Sequence, residues 1–115
     1  MNQVASPREI VDRQLRAYNA RDIDAYCDLY ASDATIATLN CGTEHARGSD
    51  AIRAYYTDRF NNSPDLHCDV TCRIELGKYV VDRERVTGIG NGELEVIAIY
   101  EVTDSQIQSL RFIRK

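Results

Sequence analysis

The stretch Leu94–Val102, LEVIAIYEV, limits the folds open to this chain more than any other segment. Leu94, Val96, Ala98, Tyr100 and Val102 alternate with Glu95, Ile97, Ile99 and Glu101. Period-two alternation rich in β-branched and aromatic residues is a strand signature. One face is apolar throughout and belongs on the main core. The other is charged at both ends and apolar in the middle, so the strand cannot lie at an edge with water behind it. It is expected to be the central strand of an antiparallel sheet. Ile97 and Ile99 then need an outer cover, most simply a second copy of the chain.

A chain of 115 residues makes one domain, residues 1–115, with a single core. Hydrophobic residues at 43% and charged residues at 28% place it among soluble globular proteins. Its apolar runs are only a few residues long, so no membrane-spanning helix is expected. The opening MNQVASPREI has no basic segment followed by an apolar one. No secretory leader is therefore expected, and the cytoplasm is the expected compartment. A net charge of −4 without a basic stripe argues against a nucleic-acid partner. Cys27, Cys41, Cys68 and Cys72 are then expected as reduced thiols. Cys68 and Cys72 would lie roughly 13 Å apart along a strand, too far for one disulfide or one zinc ion. His45 and His67 add no zinc-like spacing, and neither a metal nor another cofactor is expected.

Ser6-Pro7 opens a first helix, with Ser6 as N-cap, proline at the first helical position and Glu9 at the third. Ile10, Val11, Leu15 and Tyr18 form its apolar stripe, and Gln14 falls inside that stripe. A glutamine there must find buried partners or a cavity. Arg8, Asp12, Arg13 and Arg16 take the wet face. Asp22 caps a second helix, in which Ile23, Tyr26, Cys27 and Tyr30 recur at helical spacing until Ser32-Asp33. A short strand is expected over Ala34–Leu39, then a loop over Asn40–Gly48 with room for a brief strand. Ile52, Tyr55, Tyr56 and Phe60 mark a third helix, stopped by Asn61-Asn62-Ser63-Pro64. Beyond it the helical period disappears. Leu66–Leu76, Tyr79–Thr87, Glu93–Thr103 and Ile107–Ile113 are expected as a meander joined at Gly77-Lys78, Gly88–Gly92 and Asp104-Ser105. The result is an α+β fold, with helices gathered on one face of a curved antiparallel sheet.

In this order, YNARDIDAY (Tyr18–Tyr26), ASDATI (Ala31–Ile36), RGSDAIRAYY (Arg47–Tyr56) and IYEVTDSQIQSLR (Ile99–Arg111) resemble the nuclear transport factor 2-like superfamily. The steroid Δ-isomerase-like and polyketide-cyclase-like branches are the most similar. The resemblance implies a cone, a bent sheet closed by three N-terminal helices around an internal pocket. It also implies a homodimer packed through the sheet's outer face. Isomerases, epoxide hydrolases, cyclases, dehydratases and binders share that cone, so fold does not settle function. Ketosteroid isomerases place a carboxylate base just after the first strand, a tyrosine on helix one and a protonated acid on the central strand. Those places match Thr38, Gln14 and Ala98 here, and neither threonine nor alanine takes up a proton at neutral pH. Tyr30 and Tyr56 match tyrosines around that pocket. Limonene epoxide hydrolases set a water with an arginine and two aspartates. Arg85 matches the arginine, but Thr87 and Phe112 stand at the aspartate places. Neither chemistry carries over.

What the residues leave is a tyrosine-rich, mostly apolar pocket for a small organic molecule, with Tyr18, Tyr30, Tyr56 and Tyr100 on core-facing positions. Gln14 is placed either to meet a ligand carbonyl or to bond Tyr30 or Tyr56. The strand Tyr79–Thr87 carries charges in the middle of both faces: Val81, Arg83, Arg85 and Thr87 on one, Val80, Asp82, Glu84 and Val86 on the other. Apolarity does not choose between them. The two resemblances favour the arginine face inward, where Arg85 would receive a carboxylate or enolate. With Glu84 inward, the pocket instead gains a buried carboxylate base of raised pKa. His45, in a glycine-flanked loop near the expected mouth, is either a second acid–base candidate or a surface histidine. Arg111, Arg114 and Lys115 read as a solvated end rather than an anion site. Three functions stay open: a small-molecule binder, a cofactor-free isomerase, cyclase or dehydratase with Glu84 or His45 as base, and a dimeric protein-interaction module with a vestigial pocket. The first two part on whether a group titrating between about pH 5 and 8 points into the cavity. The third predicts a filled cone.

Overall fold

Ser6 caps the first helix as its spacing predicts. In the computed structural model, which describes residues 5–90 and 92–115, the Ser6 hydroxyl accepts from the Glu9 amide and the Glu9 carboxylate accepts from the Ser6 amide. Residues 1–4, read above as lacking a leader pattern, and Asn91 of the Gly88–Gly92 turn lie outside the described residues. Helix α1 (Pro7–Ala20) buries Ile10, Val11, Gln14, Ala17 and Tyr18. Arg21 ends it in the left-handed region at φ 54°, and Asp22 caps α2 (Ile23–Cys27).

That second helix is shorter than its stripe suggests. The chain leaves it after Cys27 and enters strand β1 (Tyr30–Thr38) at Tyr30 rather than at Ala34. The cause is tertiary: the Leu29 carbonyl accepts from the Ile107 amide, and Tyr30 aligns with Ile107. Strand β2 (Thr43–Arg47) occupies the expected loop, and α3 (Ser49–Asn62) buries Ile52, Tyr56 and Phe60 before Ser63. Strands β3 (His67–Leu76), β4 (Tyr79–Ile89), β5 (Gly92–Thr103) and β6 (Gln106–Arg114) follow as the meander.

The sheet runs β2-β1-β6-β5-β4-β3. Every pairing is antiparallel except β1 with β6, which is parallel. Register shifts within β1, β3, β4 and β5 mark the irregularities where such a sheet bends. The sheet stays open, with β2 and β3 at its edges. Helix α1 crosses its concave side against β3, β4, β5 and β6, while α3 packs on β1 and β2. Strand β5 is internal, as its alternation requires. Val96, Ala98, Tyr100 and Val102 are buried inward, and Ile97 and Ile99 remain partly exposed on the outer face. Ile113 lies opposite Ile97, and Val81 then Ile74 continue the row from Ile99. An apolar stripe therefore crosses the outside of the sheet.

The far end of β4 is pressed against the linker before β3. A Cβ at Gly88 would lie 2.2 Å from the Asp65 carbonyl oxygen, and its φ of +84° suits only glycine. Among the described residues, no helix is long and apolar enough to cross a membrane.

Candidate functional site

The parity of β4 decides the chemistry of the interior. Val80, Asp82, Glu84 and Val86 are buried, whereas Arg83 and Arg85 are exposed, so the arginine-inward expectation is overturned. The physical reason lies on the neighbouring strand. Arg73 stands directly opposite Asp82 and binds both its carboxylate oxygens, at 2.7 and 2.9 Å. The same guanidinium reaches Asp12 on α1 at 2.6 Å. Asp82 thus enters the core with its counterion, while Arg83 pairs with Glu95 at the surface. Arg85 sits 3.8 Å from Asp69 outside the sheet, and Thr87 shares that outer face.

Glu84 is only 5% exposed and, among the described residues, has no such counterion. Its Oε2 accepts from the Tyr100 hydroxyl at 3.2 Å, which also faces Gln14 Oε1 at 3.3 Å. Gln14 Nε2 donates to the Tyr26 and Tyr30 hydroxyls at 3.2 and 3.4 Å, and Tyr30 donates to Tyr26 at 2.7 Å. Of the tyrosine partners anticipated for Gln14, Tyr30 is present, and Tyr26 takes the place of Tyr56. Tyr56 instead packs on Tyr26 with ring centroids 4.5 Å apart.

Burial first, and then the charge of Asp82, pushes the Glu84 carboxyl up to about 7. Hydrogen bonds from Tyr100 and Cys68 and the charge of Arg73 oppose that rise. Burial likewise raises Tyr18 to about 12 and holds Tyr26, Tyr30, Tyr56 and Tyr100 well above the usual phenol value. Near neutral pH the site therefore contains one carboxyl group that exchanges its proton, surrounded by phenols that keep theirs.

A small cavity of about 40 Å³ opens above this network. Gln14, Tyr18, Tyr56, Tyr100 and Phe112 line it, and so does Glu84. Tyr30 lies one hydrogen bond behind the wall. Ala98 and Thr38 are buried but outside the lining. Thr38 Oγ1 is held instead by His45 Nε2 at 2.7 Å. His45 is likewise not in the wall; its ring packs beside Tyr55, and burial, Arg114 and Arg59 depress its pKa.

Sequence reasoning missed Tyr26, Cys68, Arg59 and Arg114 in the lining. Arg114 is the one most readable from the sequence. It shares the inward parity of Leu110 and Phe112, facing Val96 across the β5–β6 ladder, so it is not part of a solvated end. Arg59 lies one turn after Tyr55, donates to its hydroxyl at 3.1 Å and covers its ring at 5.4 Å. The partly exposed members Leu15, Arg59, Ile89, Leu94, Phe112 and Arg114 mark the mouth. Among the described residues, no cluster of three or more His, Cys, Asp or Glu side chains is placed to hold a metal ion.

An open bent sheet, three helices on its concave side and a cavity beneath the first helix define a nuclear transport factor 2-like cone. Residues 11–110 match the SnoaL-like domain, and the chain belongs to that family. An uncharacterised cystatin-fold protein of Novosphingobium aromaticivorans superposes with a TM-score of 0.88 at 27% identity, over 96% of this chain and 99% of the other. A proposed ketosteroid isomerase of Kribbella flavida gives 0.83 at 16% identity, over 95% and 77%. A proposed polyketide cyclase of Sinorhizobium meliloti gives 0.78 at 20% identity, over 90% and 92%. The last two likenesses show the fold alone. No curated protein matches the chain.

Proposed function

We propose that this chain is a cofactor-free proton-transfer catalyst acting on a small organic carbonyl compound, with Glu84 as the base. The observation that carries the reading is a buried carboxyl group in the cavity wall, with its pKa raised to about 7 and its Oε2 facing the Tyr100 hydroxyl. A base with that pKa is half-ionised near neutral pH, where proton abstraction and return are balanced. The ionised Glu84 takes a proton from the carbon beside the carbonyl, and the electron pair moves onto the carbonyl oxygen as an enolate. The neutral carboxyl then returns the proton to the same or a conjugated carbon. Buried phenols in the wall, which stay protonated throughout, supply donors to the oxygen. The base sits on β4, not at the Thr38 or Ala98 places, so the ketosteroid isomerase constellation is not reproduced.

Incubation with a panel of small ketones and keto acids in D₂O, followed by NMR, tests this. Wild type should catalyse deuteration with a rate rising through about pH 7, and Glu84→Gln should abolish it. Deuteration retained by Glu84→Gln rules Glu84 out as the base.

The small cavity volume favours a second reading, in which the cone is largely packed and serves a protein-interaction dimer. In both readings the outer stripe of Ile97 and Ile99 with Ile113 and Val81 is proposed as a homodimer face. A catalytic cone and a dimer face are compatible, since they lie on opposite sides of the sheet.

A further inference from the structure

The cavity's mouth is cationic and its floor is not. Arg59 and Arg114 both line it. Among the described residues neither has a carboxylate within 4.0 Å, although Arg8, Arg47, Arg53, Arg73, Arg83 and Arg85 each do. Glu95, on the strand beside Arg114, is bound by Arg83 instead. Arg114 Nε is also buried and has no hydrogen-bond partner among the described residues. A buried guanidinium N–H is rarely left without an acceptor.

Both arginines are held in position. Asn40 clamps the backbone of Arg114 on both sides, donating to its carbonyl and accepting from its amide at 3.1 Å. The Arg114 guanidinium lies 5.9 Å from the centre of the Phe112 ring, at the cavity wall. Tyr55 holds Arg59 from α3 through its hydroxyl and its ring face. Both arginines belong to the lining of the same cavity, and the charges of both bear on His45.

We propose that the cavity takes a small organic acid, whose carboxylate is received at the mouth by Arg59 and Arg114 while its reactive carbon lies deeper, toward Glu84. This substrate class rests on the reading of Glu84 as base, but the subsite itself depends only on the two guanidiniums. Arginine suits the task because its planar fork matches a carboxylate and keeps its charge at every working pH. The arrangement also separates the substrate's fixed charge from Glu84, so the base does not face an anion at its own carboxylate.

The test is binding, read without turnover. Acetate, butyrate, benzoate and phenylacetate, each against its own amide, are titrated into ¹⁵N-labelled protein and followed by NMR shifts. At least one acid should bind about tenfold tighter than its amide, the factor that about 1.4 kcal/mol of charge-assisted bonding gives. Arg59→Gln and Arg114→Gln should each erode that preference, whereas Glu84→Gln should keep it. Arg114→Lys, which retains charge and loses the fork, covers the case in which Arg114→Gln misfolds, and should keep part of it. Equal binding of acids and amides, or binding of neither, overturns the proposal. So does a preference that survives both arginine-to-glutamine changes. Acid preference without deuterium exchange on any substrate removes the base and leaves the anion subsite standing. Exchange on neutral ketones without acid preference does the reverse.

Discussion

Glu84→Gln is expected to stabilise the protein in mild alkali and leave it nearly unchanged in acid. Glutamine matches the shape of the neutral side chain and cannot ionise. In the native chain the Glu84 carboxyl is raised from 4.5 to about 7, by burial above all and by the charge of Asp82 second. In the unfolded chain it ionises near its ordinary value. Between those two pH values the native state keeps a proton that the unfolded state has released, so stability falls as pH rises through the window. A displacement of that size amounts to about 3 kcal/mol once it is complete. The variant lacks this loss. Urea denaturation of both proteins at about pH 4 and about pH 8 measures it, because the carboxylates remote from residue 84 are common to both and cancel. The stability difference should move by about 3 kcal/mol in favour of the variant between the two conditions. A difference that stays constant with pH would show that Glu84 does not ionise from a dry site, and the acid–base reading would lose its footing.

Asp82→Asn should lower the Glu84 midpoint, because it removes an anionic neighbour and leaves Arg73, which favours the ionised form. A ¹³C carboxyl titration reads this directly, and an unmoved midpoint contradicts the coupling. The same change breaks a buried ion pair and should destabilise by up to about 3–5 kcal/mol in denaturant. Gly88→Ala should cost more than about 1 kcal/mol in thermal melts, since its Cβ meets the Asp65 carbonyl at 2.2 Å in a left-handed backbone. Gly90→Ala, at φ +61° with open space around it, should cost less, and equal losses would refute the close-approach account. Ile97→Asp and Ile99→Asp should shift sedimentation from dimer toward monomer or aggregate, and dimers like those of wild type would exclude the outer stripe as an interface.

Local signals were legible wherever backbone chemistry is local. The Ser6-Pro7 cap, the Asn61–Pro64 stop and the β5 alternation each carry their own cause in a few residues, and the structure places them as read. Where a distant partner decides, the reading fell short. Tyr30 sits at helical spacing after Tyr26, yet it belongs to β1 because Ile107 pairs with it from the far end of the chain. The parity of β4 turned on Arg73 standing opposite Asp82, a cross-strand match that no periodicity within β4 contains. Once Asp82 is neutralised there, the apolar Val80 and Val86 draw Glu84 inside with them. Glu84 itself was legible as a buried base if that face turned in. Arg114 was readable from its shared parity with Phe112, but its charge near other cations suggested solvent.

The parallel pairing of β1 with β6 sets the order in which this protein can be completed. Thr35 through Thr38 find their inner neighbours only at Ser109 through Phe112, after the whole meander has emerged. Until then β1 and β2 form a two-stranded ribbon with one edge of unmatched amides and carbonyls, which any other chain can occupy. Contacts so distant along the chain make for slow folding, and the delay keeps that edge exposed. During synthesis the hazard is thus greatest just before the sixth strand appears. Strand β6 carries Arg114 and Phe112 to the cavity mouth as it joins β1 to β5, so a nascent chain completes its cationic rim and covers the inner edge of β1 in the same step.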